Sequence, residues 1–154
     1  MTKVGNDWRE HGDDFASTIG TGGVVGTKFV WPDPGPKFKD VNLTAQKEER
    51  WKKWIGLYNE KMLSKGEFED LYVTGYDTPE GYAISKDGKM YYAFFVSSAF
   101  KGEVELRGLK PGKYHVRDYS EDKDLGTIDT PADGVAKLPA AFKEHLLVEV
   151  SPSN

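Results

Sequence analysis

The spacing of large apolar residues changes once along this chain, and that change limits what it can fold into. Trp51, Trp54, Ile55, Tyr58 and Met62 recur at intervals of three and four, which puts them on one face of a helix. After Glu69 the pattern gives way to short runs rich in β-branched and aromatic residues, separated by turn-forming pairs. With 154 residues there is room for one ordinary domain, or for a small domain with an appended layer. Ahead of the helix lies a short tract containing Gly20, Gly22, Gly23 and Gly26. It reads as the end of something larger.

The front of the chain is built from loop-forming residues. Residues 1–25 are rich in glycine, aspartate and small polar side chains, with limited local order expected around residues 14–17. Residues 26–31 can form one short strand, which Pro32, Pro34, Gly35 and Pro36 then stop. The Thr44 hydroxyl can cap a helix beginning at Ala45. The predicted helix covers residues 45–64, roughly 30 Å at about 1.5 Å per residue, with Gly66 as its expected terminator. Two tryptophans on its apolar face require a surface to pack on.

Strands are expected over 71–76, 81–85, 89–96, 102–106, 113–119, 125–128 and 144–150. Asp87-Gly88 is a hairpin signal, since its favoured turns need positive φ. Pro111-Gly112 and the 121–124 segment supply further turns. Short strands joined by turns predict an antiparallel sandwich rather than alternating β–α units. Tyr92, Phe94, Val104, Leu106, Tyr114, Val116, Leu146 and Val148 are its expected shared core. The fold class is therefore mainly β: a C-terminal antiparallel β-sandwich preceded by a short strand, a loop and a long helix. A division at residues 1–68 and 69–154 follows.

Composition excludes several functions. A net charge of −4, with Lys47, Lys52 and Lys53 interleaved among glutamates, argues against nucleic-acid binding. The absence of cysteine removes disulfides, thiolate zinc sites and cysteine nucleophiles. No apolar run approaches a membrane helix or a secretory signal, which predicts a soluble polypeptide and assigns it no compartment.

Candidate site residues each carry a second reading. Gly22 and Gly23 can serve close packing, a loop, sugar contacts or an anion, but the tract lacks the spacing of a nucleotide loop. Asp13 and Asp14 can share acid/base work or simply cap a turn. Trp31 can stack on a sugar face or join a core, whereas Trp51 and Trp54 fit packing. Tyr82, Tyr91 and Tyr119 can form a shallow aromatic platform or face inward by alternation. His11, His115 and His145 are far apart and form no metal motif; no metal and no cofactor is expected. Asn42-Leu-Thr44 matches a glycosylation acceptor whose threonine is also the cap.

Three segments in order, residues 12–32, 51–64 and 102–114, resemble the C-terminal portion of bacterial α-galactosidases of the glycoside hydrolase family 36 kind. The similarity runs from Gly12 to Val150. It implies a (β/α)8 catalytic barrel followed by an antiparallel sandwich, with residues 27–30 and 45–64 as the barrel's last β–α portion and the glycines in an active-site-side loop. It also implies a retaining hydrolysis of terminal α-galactose by a carboxylate nucleophile and a carboxyl acid/base, whose groups must lie about 5–5.5 Å apart. Asp7, Asp13 and Asp14 fall near the family's acid/base region, with none assigned to the role. The expectation is a fragment that supports a parental barrel and is inactive alone. Its expected partners are that barrel, an α-galactoside or other carbohydrate, and a second copy met through the helix. Carbohydrate recognition without catalysis and a purely structural interaction module are the alternatives.

Overall fold

Why the tryptophan stripe forms a helix, and what it packs on, is visible in a computed structural model that describes residues 14–26 and 44–153. Thr44 accepts a hydrogen bond from the Lys47 amide at 3.2 Å and opens α2, Ala45–Lys61. A short helix α1, Ala16–Gly20, precedes it. The helix ends three residues earlier than the expected end at residue 64. Met62 adopts the left-handed conformation at φ 44° and its amide returns to the Tyr58 carbonyl, so Met62 rather than Gly66 stops α2. Gly66 instead closes a 3-10 turn, Leu63–Lys65. The strand expected over 26–31 lies outside the described residues.

The strands are β1 (Glu67–Glu69), β2 (Glu80–Lys86), β3 (Lys89–Leu106), β4 (Gly112–Asp118), β5 (Lys123–Thr130) and β6 (Ala136–Pro152). They pair antiparallel in the order β1-β2-β3-β6-β4-β5. Asp87 and Gly88 form the β2–β3 hairpin turn with φ of 52° and 74°, as the dipeptide predicts. Residues 71–76 are not a strand. Val73 donates to the Asp77 carboxylate at 2.6 Å, Asp77 donates back to the Val73 carbonyl, and Gly75 sits at φ 84°. Local bonds there replace a ladder.

The sandwich arises because the two longest strands bend. The β3–β6 register breaks between Phe95 and Ala99. Straight, the separation of 15 positions from Tyr92 to Arg107 would span about 50 Å, yet the Tyr92 hydroxyl donates to the Arg107 carbonyl at 2.6 Å. The strand therefore doubles back, and its two arms face each other across Tyr92, Phe94, Val104, Leu106, Val116, Leu146 and Val148, with Tyr114 at the margin. Each large apolar group so buried contributes about 1.5–3 kcal/mol before entropy.

The opposite face of β3 and β6 is also covered. Tyr91, Ala93 and Leu147, with Ile84 of β2, pack against Phe15, Ala16 and Ile19 around α1 and against Trp51 and Trp54 of α2. Residues 91–94 are consecutively buried because neighbouring side chains enter different cores. The partner surface that the tryptophan stripe requires is this sheet. Gly20 makes the approach possible: a β-carbon there would stand 2.6 Å from the Ala93 β-carbon.

Candidate functional site

The helix layer and the bent strands meet at the β6 kink. Glu144 lies between Lys143 and His145, the residues that flank the register break, and takes φ 64°. Glu144 is exposed, while His145 follows on the helix-facing side that Leu147 and Glu149 share. The His145 ring stands edge-on to Trp54 at 5.6 Å. Its Nδ1 is buried and makes no hydrogen bond among the described residues. Asp14, 8 % exposed, enters from the start of α1, where its Oδ1 accepts from the Ala16 amide at 2.9 Å. Donor atoms of Asp14, Glu144 and His145 all lie within 4.8 Å of one another. Their separation in sequence hides this convergence; only the kink and the docking of α1 produce it.

Further along the same face, Glu149 accepts from Lys61 of α2 at 2.8 Å and from Lys89 of β3 at 2.6 Å. Burial alone would raise the Glu149 carboxyl, but the two lysines outweigh it and hold the group below its ordinary range. Tyr119, 3 % exposed, meets Tyr91 edge-on at 5.9 Å. Burial pushes both phenols up, so they stay neutral. The Tyr119 hydroxyl makes no hydrogen bond among the described residues.

The remaining candidates from the sequence are distributed as follows. Tyr82 is half-buried, donates to Glu80, and stands between Phe68 and Phe95 at centroid distances of 6.5 and 5.9 Å. These rings are tilted or edge-on rather than coplanar. Gly22 is at φ 74°, and a β-carbon there would come within 2.9 Å of Ile84; one at Gly23 would come within 3.0 Å of the Thr18 carbonyl. Asp7, Asp13, Trp31, His11 and Asn42 lie outside the described residues. His115 sits on the β4–β5 ladder beside Asp124, 3.0 Å away, and is not brought to His145's cluster.

An open groove of about 860 Å³ runs past Lys65, Lys86, Lys89, Lys110 and Tyr114, and a second, of about 430 Å³, lies between α2 and the end of β4. Neither is lined by Asp14, Glu144 or His145. Among the described residues no helix is long and apolar enough to cross a membrane.

No family model matches the chain. An A type blood alpha-D-galactosamine galactosaminidase of Flavonifractor plautii is 35 % identical over 142 residues, covering 88 % of this chain and 12 % of that protein. The fold is similar to part of an alpha-amylase of Anoxybacillus, with TM-score 0.50 and 16 % identity over 80 % of this chain and 27 % of the other. The chain is thus a glycoside-hydrolase-like domain, mainly antiparallel β with a helical segment ahead of it. In sequence it is related to a galactosaminidase, of which it matches a small part.

Proposed function

We propose that this chain is the C-terminal portion of a larger α-galactosidase-like glycoside hydrolase, of the family 36 kind, and that it buttresses a catalytic barrel without hydrolysing glycosides alone. The observation that carries this is the galactosaminidase match: it takes in almost all of this chain and an eighth or less of the relative. A match that takes in most of this chain and so small a share of an enzyme supports reading the chain as one module of such an enzyme. The activity for which the relative is named suggests a terminal α-linked galactose or galactosamine as the parent's substrate.

In this reading residues 69–154 form the accessory β-domain and residues 1–68 belong to the edge of the barrel, of which α1 and α2 pack on the sheet's outer face. A retaining mechanism needs a nucleophile from barrel strands and a carboxyl acid/base about 5–5.5 Å away. Asp7, Asp13 and Asp14 are the candidates on this chain for a place near that acid/base. Gly22, Gly23 and Trp31 are candidates for the sugar side of the loop. Tyr82, which keeps a partly exposed ring, suits a peripheral sugar contact better than the enclosed Tyr91 and Tyr119.

The test is an assay of the purified chain with aryl α-galactosides and aryl α-galactosaminides. No turnover is expected. Turnover lost on Asp14→Asn would overturn the non-catalytic reading. The flanking coding sequence tests the parent: a preceding barrel with a nucleophile-bearing strand is expected, and an unrelated neighbour would sink the proposal.

A further inference from the structure

We propose that Asp14, Glu144 and His145 form a binding site for a divalent transition-metal cation of the zinc class, which ties the start of α1 to the β6 kink. Three kinds of observation support it. The donor set is one imidazole and two carboxylates, a combination that suits zinc-like ions better than calcium or magnesium, which take oxygen alone. The donor atoms already lie within 4.8 Å of one another, although Asp14 and His145 come from opposite ends of the chain. Independently, the His145 Nδ1 is buried with no hydrogen-bond partner among the described residues. A buried ring nitrogen without a partner is costly, and a cation bound through Nδ1 would satisfy it when that nitrogen is unprotonated.

The surroundings favour a cross-link rather than a reaction centre. Trp54 stands against one side of the His145 ring and fixes its plane. Asp14 is held by the Ala16 amide through Oδ1. Bonds of about 2.0–2.2 Å require the donors to close by roughly an ångström. Exposed Glu144 can supply that movement by changing rotamer, because its side chain is not packed. Water would complete the coordination on the exposed side.

The site is tested by titrating chelator-treated protein with zinc chloride, followed by calorimetry and by nuclear magnetic resonance of the histidine ring nitrogens. One saturable site is expected, with the His145 nitrogens shifting and the thermal midpoint rising. Glu144→Gln changes an exposed side chain and so should keep the fold while weakening zinc at least tenfold. His145→Gln should weaken it further, with circular dichroism reporting whether the fold is retained. Absence of saturable binding up to about 100 μM zinc, a weak affinity for a three-ligand protein site, would overturn the proposal. Binding that Glu144→Gln leaves unchanged, with His145 resonances unmoved, would overturn it equally.

Discussion

Lys61, in the last turn of α2, donates to Glu149 of β6 across 2.8 Å, with side chains only 14 % and 11 % exposed. Lys89 of β3 takes the other carboxylate oxygen at 2.6 Å. One carboxylate therefore joins the helix layer to two neighbouring strands. Removing it leaves Lys89 without this partner and Lys61 with only the exposed carboxylate of Glu60, 2.8 Å away, at a partly buried site, which costs more than losing an exposed ion pair would. Glu149→Gln should lose about 2–3 kcal/mol in denaturant unfolding. The pH dependence has a definite sign. Because the folded Glu149 pKa is depressed, its contribution is present above the unfolded carboxylate value and is lost as pH falls through the lower folded value. The native chain should therefore lose stability more steeply than Glu149→Gln below about pH 4. Parallel curves for the two proteins would refute this role.

Gly20 and Gly56 make opposite predictions from the same substitution. At Gly20 an added methyl would stand 2.6 Å from the Ala93 β-carbon and 3.0 Å from Leu147, so α1 must lift from the sheet. Overpacking of this kind costs about 1–3 kcal/mol, and Gly20→Ala should show it as a lower unfolding midpoint. Gly56 lies in α2 with nothing among the described residues within 4 Å of its would-be β-carbon. Gly56→Ala should stabilise by about 0.5–1 kcal/mol, through helix propensity and a less flexible unfolded chain. Equal effects at both sites would show that α1 does not rest on Ala93.

The extent to which this fold is legible in the residues depends on whether a signal is local. The α2 start is local, since Thr44 caps the amide of Lys47, and so is the Asp87-Gly88 turn. The α2 end is not, because Met62 takes a left-handed conformation that glycine normally occupies, and nothing in its side chain announces it. Residues 71–76 carry strand-like Tyr72 and Val73, but Gly75 and Asp77 turn the chain before it can pair. The bends of β3 and β6 have no glycine or proline at Val96, Ser97, Ser98 or Glu144, so nothing local marks them; β3 reads as two strands, 89–96 and 102–106, and β6 only as its last part, 144–150. The same bend assembles the site. Asp14 is recognisable as a candidate and His145 as an imidazole, but their meeting depends on a non-glycine residue at φ 64°.

The Thr44 cap has a measurable consequence. Its hydroxyl satisfies one of the amides left unpaired at the start of α2. Thr44→Ala should cost about 1 kcal/mol, and Thr44→Ser should recover most of it. Hydrogen exchange should localise the change to the first turn of α2, while amides of β3 and β6 exchange as before. Loss spread evenly over the sheet would argue that Thr44 acts other than as a cap.

Arg107 holds the irregular 71–79 segment to the far end of β3. It makes a two-pronged pair with Asp77 at 2.8 and 3.0 Å, donates to the Leu71 carbonyl at 2.9 Å and lies 4.8 Å from the Tyr72 ring centroid. Tyr72 in turn donates to the Glu105 carbonyl, and its ring closes one edge of the sandwich core against Tyr92 and Phe94. A planar guanidinium can do all of this at once, whereas an ammonium can keep the charge but not the fork or the stacking. Arg107→Lys should therefore cost about 1–2 kcal/mol despite conserving charge. The loss should appear first as faster amide exchange and proteolysis within residues 71–79, because that segment has few ladder bonds to hold it otherwise. If Arg107→Lys leaves exchange in this segment at the native rate, the fork is not what fixes it, and Tyr72 burial alone must suffice.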